Sequence, residues 1–352
     1  MAEAVSISFR IVEPMMFRGP GEFDPFVRGT YSRAMTLAMP SPSTVAGTLA
    51  TYCISELDRP ASSSGEWLEQ YLSILGDIKI RGPLIKLNHE LMAEDKISGG
   101  FLTMEKIREK CKKEWKRLSQ KPNSLKQLDE YLKREEFKPS VKVGKNVRVG
   151  VRLEAREGIP MKRVMEGFLY GAEYLDYIRP RGKETRETSV EIMAEVRGRL
   201  VESLSLARGL PVKFGGEGRV AFFSLQQGGK ILDAIRKQFW DGQEKHHGFL
   251  ALYLATPTLF KGGKRVEEYV KEWVENMNYR LVGISGESTV LGTGFMISAR
   301  RRKPIYTSLN PGSIIFLEGL FDLLEIYRNK AFGEASMLGY GTLIPIPITN
   351  RV

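Results

Sequence analysis

The sequence predicts an α+β fold: two tandem ferredoxin-like (RRM-like) domains with glycine-rich loops and an inserted helical hairpin. Two observations carry this prediction. The second half of the chain reads as strand, helix, strand, strand, helix, strand with one extra hairpin strand, which is the ferredoxin-like order of elements. The chain has 352 residues, and at about 150 residues per domain this length predicts two domains. We expect the domains to span residues 1–225 and 226–352, with the insertion at about 95–140.

The N-terminal domain opens with a strand over about Val5–Val12, because apolar residues alternate with polar ones there. Ser43 or Thr44 is predicted to cap the first helix, and Arg59-Pro60 to end it. The remaining ferredoxin-like elements are predicted at 78–87 (strand), 147–154 (strand), 200–207 (helix) and 218–225 (strand), with a short helix at 67–72 and a further strand at 189–196.

The insertion differs from its surroundings in period and in charge. Over residues 103–137 the apolar period changes to 3.6, with Met104 and Trp115 on one stripe, and Pro122 separates two helices. Residues 101–150 carry 15 Lys and Arg against 7 Asp and Glu. We expect the apolar stripe to pack on the N-terminal domain. The charged face would then meet either a polyanionic partner or solvent.

The C-terminal domain is predicted from a buried strand, from apolar residues at helical spacing and from an apolar last strand. Val266, Val270 and Trp273 recur at the spacing of one helix face. The predicted elements are strands at 248–256, 280–285, 289–298, 313–318 and 342–348 and helices at 265–277 and 320–329.

The composition is that of a globular protein. With 42% hydrophobic and 27% charged residues, it excludes the disordered and collagen-like classes. The longest apolar run, Phe249–Ala255, is far shorter than the roughly 18 residues that a membrane span needs. The N-terminus lacks the pattern of a secretory signal, so we expect a cytoplasmic protein without membrane contact. The net charge of +11 suits a polyanionic partner, either nucleic acid or an acidic protein.

Motifs for catalysis and for cofactors are missing from the sequence. Two Cys and three His without Cys-X-X-Cys or His-X-X-X-His spacing argue against a transition-metal site. Residues 261–264 lack the spacing and the hydroxyl of a P-loop. Residues 291–295 are followed by a strand pattern, whereas a dinucleotide loop leads into a helix. We therefore predict no catalytic residue, no metal and no cofactor.

Four glycine- or proline-bearing segments also contain cations and aromatic residues. Glycines let a backbone approach a ligand and present amide groups to phosphates, Arg and Lys neutralise phosphates, and aromatic rings stack on bases. A hairpin turn at 214–219 and a helix stop at 338–341 are the structural alternatives. The predicted RNA-binding residues are Arg18, Arg28, Ser43, Thr44, Arg148, Lys213, Gly215, Gly216, Arg219, Arg300, Arg301, Arg302, Gly339, Tyr340 and Gly341.

Taken in order, these segments resemble the repeat-associated mysterious protein (RAMP) superfamily of CRISPR effector complexes. The nearest resemblance is to the family of the third subunit of type III-B (Cmr) complexes. The loop before the last strand is the superfamily's hallmark, and only about residues 95–140 fall outside the resemblance. The residues that carry it are Met16-Phe17-Arg18, Pro42–Gly47, Arg148-Val149-Gly150, Gly167-Phe168-Leu169-Tyr170, Phe214–Arg219, Tyr253–Pro257, Pro311-Gly312-Ser313 and Gly339-Tyr340-Gly341.

The resemblance implies a non-catalytic, RNA-binding subunit that holds the 5′ repeat-derived handle of the CRISPR RNA. It also implies docking to the large polymerase-like subunit and to a backbone RAMP subunit, with target RNA contacted indirectly. Ala50 and Thr51 stand where an Arg is common in the family, which weakens the transfer of contacts to that helix.

Two other functions are compatible with parts of the pattern. A metal-independent RAMP endoribonuclease that processes precursor CRISPR RNA would need a general base. Processing members of the superfamily usually carry a His early in the chain, and residues 1–88 contain none. A protein-binding scaffold without nucleic-acid contact would leave the glycine and arginine segments unexplained.

Overall fold

The structure, a computed structural model of the chain, describes residues 4–19, 33–57, 66–119, 137–154, 163–177, 189–202, 207–296, 301–330 and 332–348. The second helix predicted for the insertion, at about 125–132, lies outside these ranges, as do Arg28 and Arg300. The helices are α1 (Pro42–Leu57), α2 (Trp67–Leu75), α3 (Met104–Ser119), α4 (Arg199–Glu202), α5 (Lys230–Ile235), α6 (Val266–Glu275) and α7 (Leu323–Asn329).

The strands are short and mostly antiparallel, which is consistent with the predicted α+β class. They are β1 (Val5–Ile11), β2 (Arg33–Ala34), β3 (Lys79–Leu87), β4 (Glu90–Asp95), β5 (Gly100–Thr103), β6 (Gly144–Glu154), β7 (Arg163–Asp176), β8 (Val190–Arg197), β9 (Leu210–Lys213), β10 (Val220–Gln227), β11 (Lys245–Leu254), β12 (Arg280–Ser285), β13 (Ser288–Gly292), β14 (Phe295–Met296), β15 (Arg301–Arg302), β16 (Ile305–Leu309), β17 (Ile314–Asp322) and β18 (Leu343–Ile348).

The first large sheet has seven strands in the order β5-β4-β3-β8-β1-β10-β9. Strand β1 lies between β8 and β10 and pairs antiparallel with both. Its apolar residues Val5, Ile7 and Phe9 are buried, as the period-two pattern predicts, and they share a core with α1 and α2. The opposite face of the sheet is also covered, since Leu84, Met193 and neighbouring residues join the core of the second sheet.

The strand predicted at 147–154 does not belong to the first sheet, so this assignment was wrong. That segment lies in β6, which pairs with β7 in a separate sheet ordered β2-β7-β6. Val147 and Val149 are 52% and 67% exposed. An alternating Val pattern has the same form on an exposed ribbon as on a buried strand, so it cannot identify the sheet to which the strand belongs. The neighbour of β1 and β3 is β8 instead.

The second large sheet has the order β12-β17-β11-β18, with antiparallel neighbours throughout. Its elements follow one another as β11, α6, β12, β17, α7 and β18, with the β13–β16 excursion inserted after β12. Helices α6 and α7 pack on it through Val270, Val274 and Ile326, all buried. Strand β17 extends four residues beyond the predicted end, and α7 accordingly begins at Leu323.

Helix α3 packs on both large sheets, against β4 and β5 of the first and β11 and β18 of the second, so the expectation that the insertion packs on the N-terminal domain is correct only in part. The Trp115 ring lies 4.5 Å from Phe249 and 5.7 Å from Phe316, measured between ring centroids. Met104, Ile107 and Cys111 are buried in the same core. The sequence pattern correctly indicated which stripe is buried, but a periodicity carries no information about which surface covers the stripe.

Helix α1 begins at Pro42, one residue before the predicted cap. The Ser41 hydroxyl lies 2.9 Å from the Ser43 hydroxyl and 3.0 Å from that of Thr44, so Ser41 is the residue that leads into the helix. Proline suits the first helical position, because its missing N–H would have no partner in the helix. No helix within the described ranges is long and apolar enough to span a membrane.

Candidate nucleic-acid interface

A cleft that is open to solvent lies where loops of the two large sheets meet. We call it the central cleft. Its walls come from the segment after β1, from the lead into α1, from the end of β4, from the β13–β16 excursion and from the loop before β18. The lining residues are Arg18, Gly19, Leu37, Met39, Pro40, Ser41, Glu94, Lys96, Pro257, Leu291, Gly292, Thr293, Gly294, Asn310, Pro311 and Tyr340.

Arg18 stands on one wall of the central cleft. The backbone around it is fixed by the Leu37 amide, which donates to the Phe17 carbonyl at 2.7 Å, and by the Gly19 amide, which donates to the Met35 carbonyl at 2.9 Å. The Arg18 side chain is 41% exposed, and its Nη2 lies 3.6 Å from Oε1 of Glu217. The guanidinium is therefore anchored at one edge while part of it faces solvent.

The end of β4 also lines the central cleft. The Lys96 amide donates to the Pro311 carbonyl at 3.1 Å, and its Nζ donates to Oδ1 of Asn310 at 3.3 Å. Glu94 is half-buried and lines the same cleft. Desolvation raises the pKa of Glu94 to about 7, against the lowering effect of the positive charge of Lys96.

Tyr340 forms part of the floor, but only its rim reaches the cleft. It is 1% exposed, and its hydroxyl donates to Oγ of Ser43 at 3.2 Å. Tyr71 donates to the Ser43 carbonyl at 3.1 Å, and burial raises the pKa of Tyr71 to about 12. A ring held in this way braces the start of α1 and has no free face on which a base could stack.

The glycines beside Tyr340 face protein rather than the cleft. Gly339 has φ 102°, and a Cβ there would lie 2.5 Å from the Gly82 carbonyl oxygen. Gly341 has φ 66°, and a Cβ there would overlap the carbonyl oxygen of Phe332. The loop therefore needs glycine so that its backbone can pack against neighbouring backbone.

The 214–219 loop packs against β1 and against the segment that follows it. The Phe214 ring stacks on Phe9 with centroids 4.1 Å apart and an interplanar angle of 8°. The Gly216 amide donates to the Met16 carbonyl at 2.8 Å, and a Cβ on Gly215 would lie 2.5 Å from that same oxygen. Gly215 thus serves a close backbone contact with Met16, whereas a Cβ on Gly216 would lie no closer than 3.6 Å to any neighbour. Lys213, just before the loop, is exposed.

Two of the predicted arginines meet at a second cationic cluster, formed by Arg148, Tyr174 and Arg219. Their guanidinium carbons lie 5.1 Å and 4.6 Å from the Tyr174 ring centroid. Nη1 of Arg219 also contacts Oε2 of Glu13 at 2.6 Å, with 17% of the Arg219 side chain exposed. Arg148 is exposed. The cluster thus places the exposed guanidinium of Arg148 beside that of Arg219, which Glu13 neutralises.

The described residues of the basic run at 300–303 lie in different environments. Arg302 is exposed on β15, and Arg301 pairs through its backbone with Met296. The Nζ of Lys303 lies 5.1 Å from the Trp67 ring and 5.6 Å from the Tyr71 ring, and burial lowers its pKa. Ser43 is buried and Thr44 is half-buried at the start of α1, beneath the cleft. Among the predicted residues that the structure describes, Arg18 and Tyr340 line the central cleft.

Four further residues that line the cleft were not predicted from the sequence: Glu94, Lys96, Asn310 and Thr293. Glu94 and Lys96 stood at the edge of a segment interpreted as an insertion, because β4 is short and has no clear alternation. Thr293 lies in the Gly-Thr-Gly stretch that fails as a dinucleotide loop; β14 follows it, as the pattern predicted. Pro311, part of the resemblance, was the one available signal for its neighbour Asn310.

Metal ligands do not cluster in the part of the chain that the structure describes. No group of three or more His, Cys, Asp or Glu side chains there could hold an ion. Cys53 and Cys111 are both buried and unpaired with each other.

Comparison with known proteins gives a consistent family. Residues 89–347 match the family model of the CRISPR-associated protein Cmr3 (Cas_Cmr3). The chain is also similar to the CRISPR system CMR subunit Cmr3 of Saccharolobus solfataricus, with 24% identity over 349 residues that cover 95% of this chain and 93% of that protein.

Two solved structures share the fold. A chain of the type III-B Cmr-beta complex bound to cognate target RNA matches with a TM-score of 0.58 and 20% identity, covering 96% of both chains. A chain of the same kind of complex bound to cognate target RNA and AMPPnP matches with a TM-score of 0.57 and 19% identity, covering 88% of this chain and 86% of that one. Because the family model spans well over half of its length, this chain belongs to the Cmr3 family of CRISPR-associated proteins.

Proposed function

We propose that the protein is a non-catalytic RNA-binding subunit of a type III-B CRISPR effector complex and holds the 5′ repeat-derived handle of the CRISPR RNA. In this proposal it docks to the large polymerase-like subunit and to a backbone RAMP subunit, and it meets target RNA only through them. The single observation that carries the proposal is the central cleft in a member of the Cmr3 family. The net charge of +11 supports it.

The central cleft suits one strand of RNA. Arg18 and Lys96, which both line the cleft, can neutralise phosphates, and the Gly292-Thr293-Gly294 stretch lets a strand approach the backbone. The Arg148–Tyr174–Arg219 cluster would extend the cationic track, because a guanidinium can contact both phosphate and base.

We also propose that the two large sheets are the cores of two ferredoxin-like domains, spanning about 1–225 and 226–352. In each sheet the four central strands lie in the same spatial order by sequence, β3-β8-β1-β10 and β12-β17-β11-β18. The helices α1 and α4 in the first half and α6 and α7 in the second occupy the connecting positions of the ferredoxin-like order.

The test is incubation of the full chain with labelled repeat RNA in the absence of metal. Retention without cleavage is expected. Cleavage would support the alternative function, a metal-independent RAMP endoribonuclease, and the absence of both would favour a protein scaffold.

Charge variants sharpen this test. The double variant R18E/K96E should lose RNA affinity, because both changes place negative charge on the cleft walls. K271E is the matched control, since Lys271 is exposed on α6 and does not line the cleft. Equal affinity of the two variants would contradict the assignment of the cleft.

A further inference from the structure

Glu94 places an acidic side chain in a cleft that is proposed to bind phosphates. It lines the central cleft together with Arg18 and Lys96, and it is half-buried. Desolvation is the largest influence on its carboxyl group, and no hydrogen bond counteracts it. A desolvated polar group without a partner is costly and rare, so a carboxylate kept in this state calls for a ligand that supplies donors.

The surroundings of Glu94 offer little compensation. On its own strand, Lys96 attracts it and Asp95 repels it. Asp95 is itself engaged by Nζ of Lys110 at 2.5 Å. The Tyr253 hydroxyl donates to the Glu94 backbone carbonyl at 2.9 Å, and the Tyr177 hydroxyl is committed to the Ala38 carbonyl. The Lys96 ammonium donates to Oδ1 of Asn310 at 3.3 Å, and among the described residues none donates a hydrogen bond to the Glu94 carboxylate.

We infer that Glu94 reads one guanine of the bound strand, by accepting hydrogen bonds from its N1–H and N2–H groups. This inference rests on the proposed RNA-binding function and adds base selection to it. An ionised carboxylate has two acceptor oxygens and no donor. Among the four RNA bases, guanine alone presents two donors side by side on its Watson–Crick edge, whereas adenine, cytosine and uracil place an acceptor beside their donor.

The same pairing makes binding depend on pH. Guanine stabilises the ionised carboxylate, so binding should release a proton wherever Glu94 is protonated in the free protein. Affinity for a guanosine-bearing strand should therefore rise from about pH 6 to about pH 8. A strand without guanosine should show no such rise, because the ionised carboxylate only repels its phosphates.

The experiment measures affinities of the full chain for oligouridylate and for a series in which one uridine at a time becomes guanosine. One position should raise affinity on the order of tenfold to a hundredfold, as bidentate base contacts do. E94Q should lose this gain, because an amide replaces one acceptor by a donor. The matched control is E90Q, since Glu90 is exposed on the same strand. It should keep the gain.

The outcomes separate the two claims. If wild type binds oligouridylate but no guanosine position adds affinity, or if E94Q keeps the gain, the reading of guanine by Glu94 is wrong and RNA binding stands. If the wild-type protein binds neither oligouridylate nor any of the guanosine-bearing strands, the proposed RNA-binding function itself is wrong. Inosine at the selected position lacks the N2 amino group, and an unchanged affinity there would also overturn the two-donor contact.

Discussion

At the scale of single residues, the loop before β18 depends on its glycines for packing. Gly341→Ala should lower stability by about 1–3 kcal/mol, because its φ of 66° strains an L-residue and the new methyl group meets the Phe332 carbonyl. Denaturant unfolding measures this. Gly262→Ala is the control, since a Cβ there meets nothing within 4 Å, and its effect should stay within about 0.5 kcal/mol. RNA affinity per folded G341A molecule should be unchanged; a loss of affinity at normal stability would restore a direct role in binding.

Glu94 should also leave a mark on the pH dependence of stability. Its pKa in the folded protein is about 7, above the ordinary 4.5, so the folded state holds the proton more tightly than the unfolded state. The resulting stability is present below about pH 4.5 and is lost as pH rises to about 7. E94Q should remove this loss and be more stable than wild type above pH 7, on the order of 2 kcal/mol. Parallel pH profiles of wild type and E94Q in urea unfolding would contradict the raised pKa.

At the scale of elements, α3 is tied to the cleft wall by a buried ion pair. Nζ of Lys110 contacts Oδ2 of Asp95 at 2.5 Å and donates to the Gly312 carbonyl at 2.8 Å. Lys110→Met should cost about 3–5 kcal/mol, because Asp95 is left charged and buried. Adding D95N should recover part of the loss, as calorimetry can show. Lys112→Met, at an exposed site one residue beyond Cys111, should change little. A K110M variant as stable as K112M would mean that the pair contributes nothing.

The outer face of α3 is charged and does not pack into the core of the second sheet. Lys112 and Lys116 are exposed there, whereas Arg117 is paired with Glu114 at 2.8 Å. Reversing Lys112 and Lys116 to Glu should impair complex assembly or target-RNA association while leaving stability and handle affinity nearly unchanged. Co-purification with the partner subunits, beside handle titrations, measures both. Loss of handle affinity by the folded double variant would make α3 the main RNA site.

Sequence patterns predicted where these elements lie in the chain better than they predicted which surfaces the elements pack on. The stripe of Met104 and Trp115 was evident from spacing, and its burial followed. The surface that covers this stripe could not be predicted from the spacing, because both halves of the chain offer apolar sheets. The pattern at 147–154 failed because alternating Val residues have the same form on an exposed ribbon as on a buried strand. In the site, glycine spacing indicated tight loops at 215 and 339 but could not distinguish a ligand from the carbonyls of Met16 and Gly82.

At the scale of the whole molecule, RNA affinity should fall linearly with the logarithm of salt concentration. Each phosphate contact on a single strand contributes a slope of roughly −0.7, and we expect several contacts. Lys96→Met should make the slope shallower by about one contact, whereas Lys271→Met should leave it unchanged. Fluorescence anisotropy over a salt series measures this, and a flat salt dependence in wild type would argue against phosphate recognition.

The position of α3 also bears on how the protein can be divided. The helix comes from the first half of the sequence, yet Trp115 covers Phe249 and Phe316 of the second sheet. A C-terminal fragment cut near residue 226 would expose those rings to water, and the matching N-terminal fragment would carry a helix whose apolar stripe had lost its contacts with the second sheet. The two halves are therefore interlocked partners rather than separable modules, and an activity mapped by truncation would report on a broken surface instead of on a domain.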